Sequence, residues 1–110
     1  MKIKLKLTPD ELLFLEKKTC IVMAIKISDL PRDKKATYTV MLEVADKVMS
    51  KAKNINRQLS LDKKKHDISF VWHQAETLEI FLTGFQEAET DPYDANLYRK
   101  IISQLNQKLA

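Results

Sequence analysis

Between Tyr38 and Leu59 the chain returns to an apolar residue at every third or fourth position, through Tyr38, Met41, Ala45, Val48, Ala52, Ile55 and Leu59. Steps that alternate between three and four keep to one side of an α-helix, and a run of three such repeats is too long for a strand. Leu42, Val44 and Met49 widen that side, while Glu43, Asp46, Lys47, Ser50, Lys53, Asn54 and Arg57 occupy the other. A long amphipathic helix, capped at Asp33 and running to about Leu59, is the element around which everything else must pack.

Two segments follow a different period. Ile3, Leu5 and Leu7 alternate with Lys2, Lys4 and Lys6, and Ile68, Phe70 and Trp72 alternate within His66 to Trp72. A period of two puts one row of side chains against a core and the other toward solvent, which predicts two strands. Lysines along the first strand also discourage unwanted pairing and suit a sheet edge. Trp72 is expected to close the second strand against the core.

The remaining elements are marked by their starts and stripes. Thr8-Pro9-Asp10-Glu11 predicts a helix start, with Thr8 as cap, Pro9 preset for the first turn and Glu11 reaching back to the cap. That helix is expected to continue through Leu12, Leu15, Cys20, Met23 and Ile27 to Leu30, because the residue before Pro31 is pushed out of helical geometry. Its second half is apolar nearly all round, so it is expected at the centre of the core. A third helix carries Ala75, Leu78, Leu82 and Phe85, with Gly84 inside it. Asp91-Pro92 opens a fourth, whose stripe is Leu97, Ile101, Leu105 and Leu109, joined by Tyr98 and Ile102.

The predicted fold is α+β in the order β-α-α-β-α-α, a single domain over 1–110 with four helices laid on one face of a two-stranded sheet. A polar stretch from Leu61 to Lys65 links two strand-helix-helix units, 1–62 and 66–110. Laying Ile68 on Ile3 brings Phe70 onto Leu5, Trp72 onto Leu7 and Glu76 onto Glu11, a weak internal duplication.

Composition limits the function. The 110 residues include a single cysteine, Cys20, which cannot form an intrachain disulfide and reads as a small buried hydrophobe. The alternating N-terminus is not a secretory signal, and the longest apolar run, Cys20 to Ile25, falls far short of a bilayer span of roughly 20 residues. A cytoplasmic protein without membrane contact is expected. With one glycine there is no glycine-rich phosphate loop, and no serine or cysteine stands in a recognisable nucleophile setting. Glu87, Glu89, Asp91 and Asp94 suit capping and the helix dipole better than acid-base work. His66 and His73, seven apart, point to opposite faces if both belong to a strand. No catalytic, cofactor or metal site is predicted, and no cofactor is expected.

Two partner classes remain. The wide apolar face of the long helix predicts self-association as a homodimer, through a seam of Tyr38, Met41, Ala45, Val48, Ala52 and Ile55 or through a strand edge, which makes the chain a small non-enzymatic protein-interaction module. Charge favours the alternative: residues 1–65 hold 16 Lys and Arg against 8 Asp and Glu, residues 66–110 hold 3 against 7. Lys47, Lys51, Lys53 and Arg57 recur along the long helix and Lys63, Lys64 and Lys65 follow it, a stripe that could track the phosphates of a nucleic acid. Glu43, Asp46 and Asp62 interrupt that stripe and no aromatic residues interleave with it for stacking.

Overall fold

The computed structural model describes residues 2–57 and 66–110. Strands β1 (Lys2–Leu7) and β2 (His66–Val71) pair antiparallel, with Ile3 opposite Phe70 and Leu5 opposite Ile68. The alternation is realised as predicted: Ile3, Leu5, Leu7, Ile68 and Phe70 are buried, and the lysines face outward. On that outer face Lys6 stands opposite Asp67, a cross-strand pair of opposite charge. All four helices lie behind the buried face, in the order β-α-α-β-α-α.

Helix α1 (Pro9–Thr19) starts at the predicted capping box. The Glu11 N–H donates to Thr8 Oγ1 at 3.2 Å, and the Thr8 N–H donates to Glu11 Oε1 at 3.1 Å. It stops well short of Leu30. Thr19 Oγ1 donates back to the Leu15 carbonyl at 2.8 Å, and the chain then tightens into 3-10 turns at Cys20–Ala24 and Ile27–Asp29, separated by an extended Ile25. A hydroxyl bonded to the carbonyl four residues back, followed by β-branched Ile21 and Val22, weakens continued α geometry. Contrary to expectation, the run from Cys20 to Ile25 is not central: Val22 is buried, but Ile21 and Met23 are exposed and Cys20 is half-buried.

Helix α2 (Arg32–Arg57) is the long element. It begins at Pro31, whose carbonyl accepts from the Lys35 N–H, so Asp33 lies in the first turn and is not the cap. Helix α3 (Trp72–Ala88) follows β2 without a break, which makes Trp72 the first helical residue and leaves it 40% exposed, not a lid on the core. Its start is capped by Gln74, whose Oε1 accepts the Val71 N–H at 3.1 Å. The capping geometry therefore matches Thr8 with Val71 and Glu11 with Gln74, out of step with the alignment of Ile68 on Ile3. Helix α4 (Pro92–Leu109) is capped by Asp91 as expected and buries Leu97, Tyr98, Ile101 and Leu105.

Gly84 lies within α3, and a methyl group added there meets nothing within 4 Å. Gly84→Ala is expected to stabilise the fold by about 0.5–1 kcal/mol, read as a rise in the urea midpoint at constant slope.

Candidate functional site

The residues of the predicted self-association seam divide between two surroundings. Met41, Ala45, Val48 and Ala52 are closed off within one copy, together with Val44. They pack on α1 and α3; Ala45, Val48 and Ala52 have no surface left for a partner and Met41 keeps only a sliver at a groove, so the structure corrects their assignment as a docking face. The sequence period shows that a side is apolar but not which chain covers it. Ile55 lies in α2, but its side chain is outside the described residues, as is Leu59. Tyr38 differs, being only half-buried.

Around Tyr38 the core stripe of α2 runs out past its cover. Lys34, Thr37, Tyr38 and Met41 form one wall of a groove of about 270 Å³, and Thr77, Ile80 and Phe81 of α3 form the other. The groove is mainly apolar, and Ile80 at its lip is 63% exposed. Trp72, Glu76 and Ile80 follow one another at single-turn spacing along the outer side of α3. The Trp72 indole donates to Glu76 Oε2 at 3.1 Å, so the carboxylate stands between two exposed apolar side chains. Phe81 is braced from behind by Phe85, with ring centroids 4.8 Å apart. Polar residues normally fill such a face, and an exposed isoleucine at the lip of a mainly apolar groove is a mark of a contact surface. Sequence reading missed Ile80, which lies off the α3 core stripe and carried no periodic signal.

The lysine stripe is not one stripe. At 100° per residue, Lys47 and Lys51 fall on one shoulder of α2 and Lys53 on the other. Lys47 is also engaged: its ammonium donates to Gln74 Oε1 at 3.0 Å and to the Ser69 carbonyl at 3.3 Å, and lies 5.8 Å from the centre of the Phe70 ring. Gln74, itself buried, donates an Nε2–H hydrogen bond to Glu43 Oε2 at 3.1 Å. Lys51 is half-buried and Lys53 exposed. The Arg57 side chain and Lys63, Lys64 and Lys65 lie outside the described residues.

An ion-pair cluster sits elsewhere, where α1 meets the start of α4. Lys18 Nζ lies 3.6 Å from Glu89 Oε2 and 3.8 Å from Asp94 Oδ2. It also sits 5.5 and 5.6 Å from the ring centres of Phe14 and Tyr98, which pack edge to face at 4.9 Å. Burial alone pulls the ammonium down, but Tyr98, Asp94 and Glu89 together outweigh it and hold it above 10.5. The Asp91 N–H lowers the Glu89 carboxyl below 4.5, helped by Lys18 and the Thr90 N–H against a desolvation that raises it. Burial pushes the Tyr98 hydroxyl up. A cation between an aromatic pair and two carboxylates, Glu89 in the α3–α4 connection and Asp94 in the first turn of α4, is a clasp that holds α1 to the start of α4.

Glu89, held down chiefly by the Asp91 N–H, and Lys18 together set a pH dependence. Because Glu89 is depressed in the fold, it adds stability above 4.5 and loses it as pH falls through the lowered value; Lys18, raised, keeps its contribution until pH climbs past 10.5. The thermal midpoint is expected to drop on acidification below 4.5, with a shallower drop in Glu89→Gln. Equal slopes in both proteins, measured by circular dichroism, would mean that the fold does not hold the Glu89 carboxyl down.

His66 begins β2 and His73 lies in the first turn of α3, so the full length of the strand separates them. Among the described residues no group of three or more His, Cys, Asp or Glu is placed to hold a metal ion, and no helix is long and apolar enough to cross a membrane. Of the acidic group, Glu89 accepts the Thr90 and Asp91 N–H groups, Asp91 caps α4, and Asp94 faces Lys18. Comparison of the chain with protein-family models, curated proteins and solved structures finds no match.

Proposed function

We propose that this chain is a small non-enzymatic interaction module that pairs with a second copy of itself through the groove between α2 and α3. The observation that carries the reading is the exposed Ile80 beside a groove walled by Tyr38, Thr77 and Phe81. A second copy suits the groove because its two lips differ in charge. Lys34 lies on the α2 wall, and Glu76 lies one turn from Ile80 on α3. The two helices run antiparallel, since Gln74 meets Glu43 and Lys47 whereas Phe81 meets Tyr38 and Lys34. Lys34 is therefore toward the C-terminal side of Ile80 and Glu76 toward its N-terminal side. A two-fold axis through Ile80 sets Lys34 of each copy against Glu76 of the other, as an isologous contact requires. Nucleic acid is the second reading. It is weaker because Lys47 is already satisfied within the fold and Lys53 faces away from it.

Sedimentation equilibrium at tens of micromolar is expected to return a two-chain mass for the parent protein and a one-chain mass for Ile80→Glu. Because Ile80 is exposed, Ile80→Glu should leave folded-state stability within about 0.5 kcal/mol. Lys34→Glu and Glu76→Lys should each weaken pairing and together restore it. A one-chain mass for the parent, or pairing that ignores Ile80, overturns the reading.

A further inference from the structure

A two-stranded sheet has two open edges, and in this chain glutamine and lysine side chains close part of each. The Lys6 N–H donates to Gln104 Oε1 at 2.9 Å, and Gln104 Nε2 donates to the Lys6 carbonyl at 2.9 Å. The Gln104 amide thus makes the paired bonds a neighbouring strand would make. On β2, the Ser69 carbonyl accepts from Lys47 and the Val71 N–H goes to Gln74. These bonds fix which backbone groups point outward. In an antiparallel ladder both groups of one residue point the same way, and the direction alternates along the strand. Since Lys6 points away from β2, so do Lys4 and Lys2, while Ile3, Leu5 and Leu7 bond to β2. The Lys2 and Lys4 groups thus lie along the outer edge of β1, where no described residue is recorded as meeting them.

We infer that the open edge of β1 at Lys2 and Lys4 is a binding site for an extended acidic peptide segment, which adds as a third strand. Its charge selects that partner. The Lys2, Lys4 and Lys6 side chains stand in one exposed row on the outer face. Beyond the Gln104 bonds the edge leads into an open depression of about 480 Å³, lined by Thr8, Glu11, Arg99, Lys100, Ser103 and Gln104. An acidic strand places carboxylates beside the lysine row, as opposite cross-strand charges favour, and its continuation meets Arg99 and Lys100. A second copy is disfavoured here, because edge-to-edge pairing brings two lysine rows together on one face. The site is separate from the α2/α3 groove, so either can fail without the other.

Binding is tested by titrating the full chain with a blocked peptide of alternating Glu and Val at low salt, following backbone amide shifts and hydrogen exchange. The expected result is saturable binding that slows exchange of the Lys4 amide and weakens as salt is added. Lys4→Pro removes the outward N–H without breaking a bond to β2, a position where a sheet edge tolerates proline, and is expected to weaken binding by about tenfold or more. Peptide affinity that survives Lys4→Pro, or binding that leaves the Lys4 amide unprotected, overturns the inference. So does the absence of binding at millimolar peptide, or a single-stranded oligonucleotide that binds the lysine row while the peptide does not. If Lys4→Pro does not fold, exchange of the Lys4 amide in the parent protein decides alone.

Discussion

Ala45→Glu, and separately Ala52→Glu, are expected to abolish cooperative folding. Both positions are completely closed off, on the side of α2 that faces the other helices. A glutamate there must bury a carboxylate, at an effective cost of several kcal/mol, and force its extra methylenes into a packed core for about 1–3 kcal/mol more. A domain of this size has roughly 5–15 kcal/mol in total to lose. Had the seam been a dimer contact, the same substitutions would have given folded single chains. Circular dichroism and a urea titration separate the outcomes: a folded monomer with a sharp transition would refute the internal placement of α2. Ile80→Glu is the matched surface control.

Phe70→Ala is expected to cost about 3–5 kcal/mol, the range for deleting a buried ring, while Trp72→Ala should cost less than about 1 kcal/mol despite removing a larger side chain. The contrast follows from where β2 ends. Phe70 is buried opposite Ile3 and carries Lys47 over its face. Trp72, two positions on, keeps the strand period in sequence but has turned into α3, and its indole bonds to Glu76 at the surface. Urea midpoints of the two variants measure the difference. Comparable losses would mean that Trp72 belongs to the core after all.

The sequence carried the element types with little ambiguity wherever a period and a cap agreed. The alternation of Ile3, Leu5 and Leu7, the Thr8-Pro9-Asp10-Glu11 start, the three-four steps from Tyr38 and the Asp91-Pro92 start each correspond to an observed strand, cap or helix. Where composition stood in for period, the reading failed. The apolar run from Cys20 to Ile25 suggested a buried continuation of α1, yet Thr19 ends the helix and the 3-10 turn that follows exposes Ile21 and Met23. The candidate surfaces were harder still to see. Ile80 is a single residue outside any stripe, and the bonds from Gln104 to Lys6 join positions at opposite ends of the chain.

What the residues settled alone is local: which stretches wind, which extend, where each begins, and which side of each prefers to leave water, because propensity, capping and periodicity act within a few neighbouring positions. What only the assembled molecule decided is how those sides are shared out. The seam of α2 is apolar from Tyr38 onward, but α1 and α3 cover it from Met41 and leave Tyr38 at an open groove. The sheet has two edges by arithmetic, but it is the fold that brings Gln104 to the Lys6 groups of β1 and Gln74 and Lys47 to the Val71 and Ser69 groups of β2. Burial depends on which surfaces meet in space, and that is a property of the packed chain that no single segment carries.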